Sequence, residues 1–121
     1  MVGSKPSILV VDDDPSLRLL CRVNLELDGF DVREAASADE ARAAVSDARP
    51  DAVLLDVHLR PCGGSLELLD ELRGDGVLVA LVTGSVDLDD LRDRADDVLA
   101  KPFLPDDLVA TARRLATVAS R

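Results

Sequence analysis

Four places in the 121-residue sequence set a chemically competent side chain at the end of an apolar run. Asp51-Ala-Val-Leu-Leu-Asp56 ends in a carboxylate, and Ile8-Leu-Val-Val-Asp12-Asp13-Asp14 ends in several. Val77 to Thr83 ends in a hydroxyl and Val98-Leu-Ala-Lys101 in an ammonium. Asp12, Asp13, Asp56, Thr83 and Lys101 form the set that a magnesium-assisted transfer of a phosphoryl group onto a carboxylate requires. Mg²⁺ prefers hard oxygen ligands, commonly carboxylates with water and phosphate oxygens. Crowded carboxylates repel one another, so a bound cation and a nearby ammonium neutralise them. A transferring phosphoryl group spreads charge over oxygens that are stabilised by a metal, a cation and a hydroxyl donor. In this scheme Asp56 is the nucleophile, and Lys101 and Thr83 supply the cation and the donor.

Each residue also has an ordinary reading, and the conjunction carries the argument. An Asp run after a strand caps a helix as readily as it binds a cation, which is the role expected of Asp14. Thr83 alone suits a turn, and Lys101 alone suits a solvated charge. Lys5 and Lys101 are nevertheless the only lysines among fourteen basic residues, so a compact ammonium at a strand end points to a point-charge role. His58, the single histidine, has no partner at metal-ligand spacing, and its side chain is read as an exposed loop group.

Positioning these tips together takes a parallel sheet, because its strands converge at their carboxyl ends on a crevice where ligands gather. Ile8 to Val11 is short and wholly apolar, as a strand buried on both faces is. Asp14 and Pro15 open a helix expected over Pro15 to Asp28, with Leu17, Cys21 and Leu25 inward and Gly29 as its stop. Phe30 to Ala35 reads as a weaker strand. Ser37 and Glu40 have capping-box spacing, and the helix they open turns Ala41, Val45 and Ala48 inward until Pro50 breaks it. The Asp51 to Asp56 strand leads through Pro61, Gly63 and Gly64 to a helix facing the core with Leu68, Leu69 and Leu72, ended by Gly74 and Gly76. After the strand to Thr83, Asp87 to Arg94 has room for about two helical turns. The strand to Ala100 and a last helix opened by Pro105 complete the chain. That helix has Leu108, Ala112, Leu115 and Ala119 at helical spacing, with Arg113, Arg114 and Arg121 expected to complement its dipole. Strands alternating with helices imply right-handed crossovers, five strands and five helices, in an α/β fold with helices on both faces.

The length suits one domain over residues 1–121 with a core needing no disulfide or metal support. That core must be aliphatic, since the chain has two Phe and neither Tyr nor Trp. A formal charge of −10 argues against direct nucleic-acid binding and against anionic membrane surfaces. Cys21 and Cys62 follow no metal-ligand spacing and read as free thiols of a reducing cytosol. No apolar leader and no membrane-length segment is present, so a cytoplasmic protein is expected.

Ile8-Leu-Val-Val-Asp-Asp-Asp14, Asp51-Ala-Val-Leu-Leu-Asp56, Val82-Thr-Gly84 and Asp96-Asp-Val-Leu-Ala-Lys-Pro-Phe103 together resemble the receiver domain of two-component response regulators over essentially the whole chain. The resemblance implies a flavodoxin-like fold with strand order 2-1-3-4-5. It also implies a phosphorelay in which Asp56 accepts a phosphoryl group from a histidine kinase or phosphotransfer protein and signals to an unknown output protein or domain. By motif, Asp12, Asp13, Asp56 and the backbone carbonyl of His58 would bind Mg²⁺, and Thr83 and Lys101 would contact the phosphoryl group. The domain would assist its own phosphorylation and dephosphorylation without being an enzyme in the usual sense, and the Lys101-Pro102 bond would be cis.

Three features depart from the family pattern. Pro61 stands one residue later than usual after the phosphoacceptor, Val98 replaces a Tyr or Phe that acts as a switching aromatic, and the fourth helix is short by about one turn. Two other functions are weighed against the receiver. A degenerate receiver would act only as an interaction module, as the missing aromatic suggests. A haloacid-dehalogenase-type phosphatase would use Asp12 of Asp12-x-Asp14-x-Ser16 as nucleophile, but it needs further acidic ligands and a cap that do not fit before Arg121.

Overall fold

The computed structural model describes residues 5–59, 64–84 and 91–119. Five strands, β1 (Ser7–Val11), β2 (Asp31–Ala35), β3 (Ala52–Asp56), β4 (Leu78–Thr83) and β5 (Asp97–Ala100), form one parallel sheet in the order β2-β1-β3-β4-β5. The helices are α1 (Pro15–Leu27), α2 (Ala38–Asp47), α3 (Ser65–Gly74) and a last helix, α4 (Pro105–Ala119). The expected flavodoxin-like α/β fold and strand order are observed.

Alternation along the central strands builds two cores. Leu9, Val11, Val53, Leu55, Val79 and Leu81 face α2 and α3, where Ala41, Leu68, Leu69 and Leu72 meet them. Ile8, Val10, Ala52, Leu54, Ala80 and Val82 face Cys21 and Leu25 of α1 and Leu108, Ala112 and Leu115 of α4. Both faces are covered, which is why the strands read as continuous apolar runs instead of alternating ones. Each fully buried Leu or Val contributes about 1.5 to 3 kcal/mol relative to exposure, so many small aliphatic contacts replace aromatic bulk.

Local signals place the helix starts. Asp14 Oδ1 accepts from the amides of Ser16 at 2.9 Å and Leu17 at 3.4 Å, with Pro15 at the first helical position. Ser37 Oγ accepts from the Glu40 amide at 3.1 Å, while Glu40 Oε1 accepts from Ala36, one residue before the cap. Gly29, at φ 96°, turns the chain from α1 toward β2 in the left-handed region that favours glycine.

Several expected details are corrected. Strand β2 begins at Asp31, and Phe30 is a buried residue of the preceding turn. Ala48 is the exposed C-cap of α2, which ends before Pro50, and Arg33 of the edge strand donates to the carbonyls of Ala44 and Ala48. Ala119 is exposed at the end of α4. Arg113 and Arg114 lie too early in α4 to serve its last turn; they pair with Asp28 and Asp97 instead, tying α4 to α1 and to β5. Of five expected helices, four are found among the described residues. The remaining segment, Asp87 to Arg94, has Leu91 and Arg92 helical, and its first four residues lie outside the described ones. Pro61, Cys62, Gly63 and Arg121 lie outside them too. No helix among the described residues is long and apolar enough to cross a membrane.

Candidate functional site

The sheet brings four strand tips together through pairings that extend one residue beyond the strands. The Asp12 amide donates to the Ala35 carbonyl at 3.1 Å, the Val57 amide to Val82 at 3.1 Å, and the Lys101 amide to Thr83 at 2.8 Å. Register sets Asp56 opposite Val82 and Thr83 opposite Ala100. The residues that change chemistry from apolar to charged therefore emerge at one level.

Asp12 and Asp56 are each only 4% exposed and Thr83 only 1%, whereas Asp13 is half-buried. Asp12, Asp13 and Asp56 each offer a carboxylate oxygen within 4.8 Å of the others. Lys101 Nζ lies 3.5 Å from Asp12 Oδ2 and 3.3 Å from Asp56 Oδ1. The amides of Asp14 and His58 donate to Asp12 Oδ1 at 2.9 Å and Asp56 Oδ1 at 3.3 Å. The His58 side chain is exposed, and Cys21 is buried with its thiol pushed up to about 12, chiefly by burial. The Lys101-Pro102 bond is cis.

Three carboxylates facing one ammonium leave a local excess of negative charge. Burial is the main cause that lifts the Asp12 carboxyl above its ordinary range; the Asp14 amide pulls it down, the charge of Asp56 pushes it up, and Lys101 draws it down again. For Lys101 the largest single influence, burial, opposes the charge. Asp12 and Asp56 together outweigh it and hold the ammonium above its ordinary range. Oxygen ligands crowded in this way and short of positive charge fit a hard divalent cation.

Two residues of the site escape notice in the sequence. Ser65, buried at the start of α3, donates to the Asp56 carbonyl at 2.7 Å and closes the loop after the carboxylate. Its position after two glycines and before an apolar helical stripe marks a helix start but not this bond. Arg18 Nη1 donates to the Asp12 carbonyl at 2.6 Å while its Nε donates to Glu34 at 3.1 Å. No spacing signals that contact, because it depends on β2 lying beside β1. Val98, paired with Leu81, is half-buried against the core beneath α2 and α3.

A family model described as the response regulator receiver domain matches residues 8–113. The DNA-binding response regulator MtrA of Mycolicibacterium smegmatis is 41% identical over 111 residues, covering 88% of this chain and 48% of that one. The phosphate regulon transcriptional regulatory protein PhoB of Pseudomonas aeruginosa is 36% identical over 118 residues, covering 91% and 50%. The crystal structure of the receiver domain of NtrX from Brucella abortus superposes with a TM-score of 0.83 at 34% identity, over 91% of this chain and 98% of that chain. The chain spans about half the length of the curated relatives it matches.

The expectation of no nucleic-acid partner, drawn from the charge of −10, is corrected by these relatives, since MtrA is by name DNA-binding. Net charge constrains only the surface that these 121 residues form. About half of MtrA lies outside the match, so the acidity of the matched part carries no exclusion for a protein of that kind.

Proposed function

The chain belongs to the response regulator receiver domain family, whose function is phosphorelay signalling, and on that premise we propose that Asp56 is its phosphoacceptor. Such a domain is not a classical enzyme. A carboxylate oxygen of Asp56 forms the new O–P bond as the P–N bond of a histidine kinase's phosphohistidine breaks, and the imidazole leaves with the electron pair. Lys101 neutralises charge on the phosphoryl oxygens and Thr83 donates its hydroxyl to one of them. Asp12, Asp13, Asp56 and the carbonyl of His58 would hold Mg²⁺, which when bound supplies positive charge to those same oxygens. By this arrangement the domain assists its own phosphorylation and dephosphorylation. One sheet with two cores supports treating residues 1–121 as a single receiver unit, for which a cytoplasmic setting is proposed.

The observation that carries the reading is the three-carboxylate cluster with Lys101 inside hydrogen-bonding reach of two of its members. Neither the phosphatase nor the interaction-only reading is favoured beside it. Intact mass after incubation with acetyl phosphate tests the reading: one phosphoryl group is gained with Mg²⁺ and none after chelation. Absence of any gain under both conditions would return the chain to the interaction-only reading. Signal output is proposed to pass through the backbone after Thr83, because Val98, stiff at χ1, has no ring to swing into space that Thr83 vacates. Hydrogen exchange with beryllofluoride should then change over residues 84–94 more than in α4, and a change confined to α4 would refute it.

A further inference from the structure

The Asp12 peptide is gripped on both sides. Its amide donates to Ala35 at 3.1 Å and its carbonyl, which belongs to the peptide joining Asp12 to Asp13, accepts from Arg18 Nη1 at 2.6 Å. Arg18 is itself held, its Nε donating to Glu34 Oε1 at 3.1 Å, and Arg22 Nη1 donates to the other Glu34 oxygen at 2.8 Å. The Arg18 side chain is 17% exposed, far less than the 43% of Arg22. One guanidinium thus spans from an edge-strand carboxylate to the peptide plane that decides in which direction Asp13 leaves the strand. A planar fork can make both bonds at fixed angles, and an ammonium cannot.

We infer that Arg18 is a positioning residue for the divalent cation: by fixing the Asp12–Asp13 peptide from outside the carboxylate cluster, it aims the Asp13 carboxylate toward Asp12 and Asp56. The inference rests on the metal site of the proposed function. Glu34 anchors the guanidinium and offsets its charge, so that a cation can stand next to a metal-binding turn at small electrostatic cost. Groups that orient metal ligands from behind typically change metal affinity 10- to 100-fold when removed.

The sign of the effect separates this role from its rivals. Removing a positive charge near a cation site tightens binding if charge alone matters. Removing a salt bridge that only docks α1 on β2 lowers stability and leaves the affinity of the folded protein unchanged. Removing a positioning group weakens binding. The test is titration of the 121-residue chain with MgCl₂, followed by the amide NMR shifts of Asp13 and His58, with urea unfolding measured separately without metal. Arg18→Met should weaken Mg²⁺ binding about 10-fold, and Arg18→Lys should recover only part of the loss. Arg22→Met, which takes a cation from Glu34 but leaves the Asp12 carbonyl bonded, should bind as the parent does. Mg²⁺ binding by Arg18→Met equal to or tighter than that of the parent overturns the proposal, as does an equal loss in Arg22→Met. If Arg18→Met does not fold, Arg18→Lys against Arg22→Met decides it by the same criteria. A parent chain that shows no Mg²⁺-dependent shift would instead sink the metal site itself, a result distinct from a parent that binds and an Arg18 variant that binds equally well.

Discussion

Lys101 and Arg42 each hold two carboxylates, and they teach opposite lessons about what a short contact is worth. Arg42, on α2, reaches Glu71 of α3 at 2.8 Å and Asp39 at 3.0 Å, with those side chains 54% and 94% exposed. Lys101 stands farther from its partners, at 3.3 and 3.5 Å, yet the side chains of Asp56 and Asp12 are only 6% and 5% exposed. Distance ranks the surface triad first, and burial reverses the order. Water and salt screen Arg42, whereas Asp12 and Asp56 have already lost most of their water and answer mainly to each other and to Lys101. The triad with the better geometry is expected to matter less, and substitutions in the two places measure by how much.

The sharpest break in the comparison is chemical. Asp56→Asn is expected to abolish phosphoryl gain from acetyl phosphate, because the amide lacks the nucleophilic oxygen, while Glu71→Gln in the surface triad leaves it unchanged. Intact mass reads both. Retention of the phosphoryl group by Asp56→Asn together with its loss in Asp12→Asn would move the nucleophile to Asp12.

The second effect is thermodynamic. A cation that binds only the folded site at about 100 times its Kd adds roughly 2.7 kcal/mol, which for a domain of this size is on the order of 10 °C in Tm. Asp13→Ala should lose most of that increment while being no less stable than the parent without metal, since one member of a repelling cluster is gone. Melting with and without Mg²⁺ checks it; equal increments in parent and variant would contradict the metal site.

How much of this contrast is visible in the sequence depends on range. Asp12, Asp56, Thr83 and Lys101 are legible because each ends an apolar strand, and a parallel sheet aligns such ends without further information. Helix starts at Asp14 and Ser37 are legible because their caps act within four residues. Arg18 and Ser65 are not, since their partners are backbone carbonyls, which every residue carries and no residue type reveals. The fate of Arg113 is illegible for another reason: helix-dipole complementarity is a local rule, and Asp28, 85 positions away, competes for the same guanidinium and wins. Net charge is the least informative about partners, because the total of −10 describes these 121 residues and not the binding of a protein about twice as long.

A smaller effect comes from Lys101→Met. Without the ammonium, Asp12 and Asp56 face each other uncompensated, and the metal-free protein should lose about 1 to 2 kcal/mol, less than a fully buried pair because Lys101 is 31% exposed. Mg²⁺ should bind this variant more tightly, since a competing cation has left. The Lys101 ammonium is held above its ordinary range, so its stabilising contribution is fully present below the reference value of 10.5 and is lost as pH rises through the higher folded value. The deficit of the variant in urea should therefore stay constant from pH 7 to about 9. A deficit that vanishes by pH 8 would mean that the Lys101 ammonium is not held above its ordinary range in the folded protein.

The smallest effect closes the comparison from the surface side. The hydrogen bond to Glu71 is the main cause that holds the Arg42 guanidinium above its ordinary range, but both partners are solvated and the side chains lose rotamer freedom in meeting. A double-mutant cycle with Arg42→Ala and Glu71→Ala isolates the pair from the helix propensity that alanine alters in each single variant. The coupling expected is about 0.5 kcal/mol at low salt, falling toward zero near 1 M salt, where the Debye length is about 3 Å. The same cycle on Lys101 and Asp56 should give a larger coupling that falls less with salt, because the Asp56 side chain is only 6% exposed and partly buried pairs are screened much less than exposed ones. Equal couplings with equal salt dependence would show that burial does not separate the two triads, and that the 2.8 Å contact of Arg42 outranks the 3.3 Å contact of Lys101 on geometry alone.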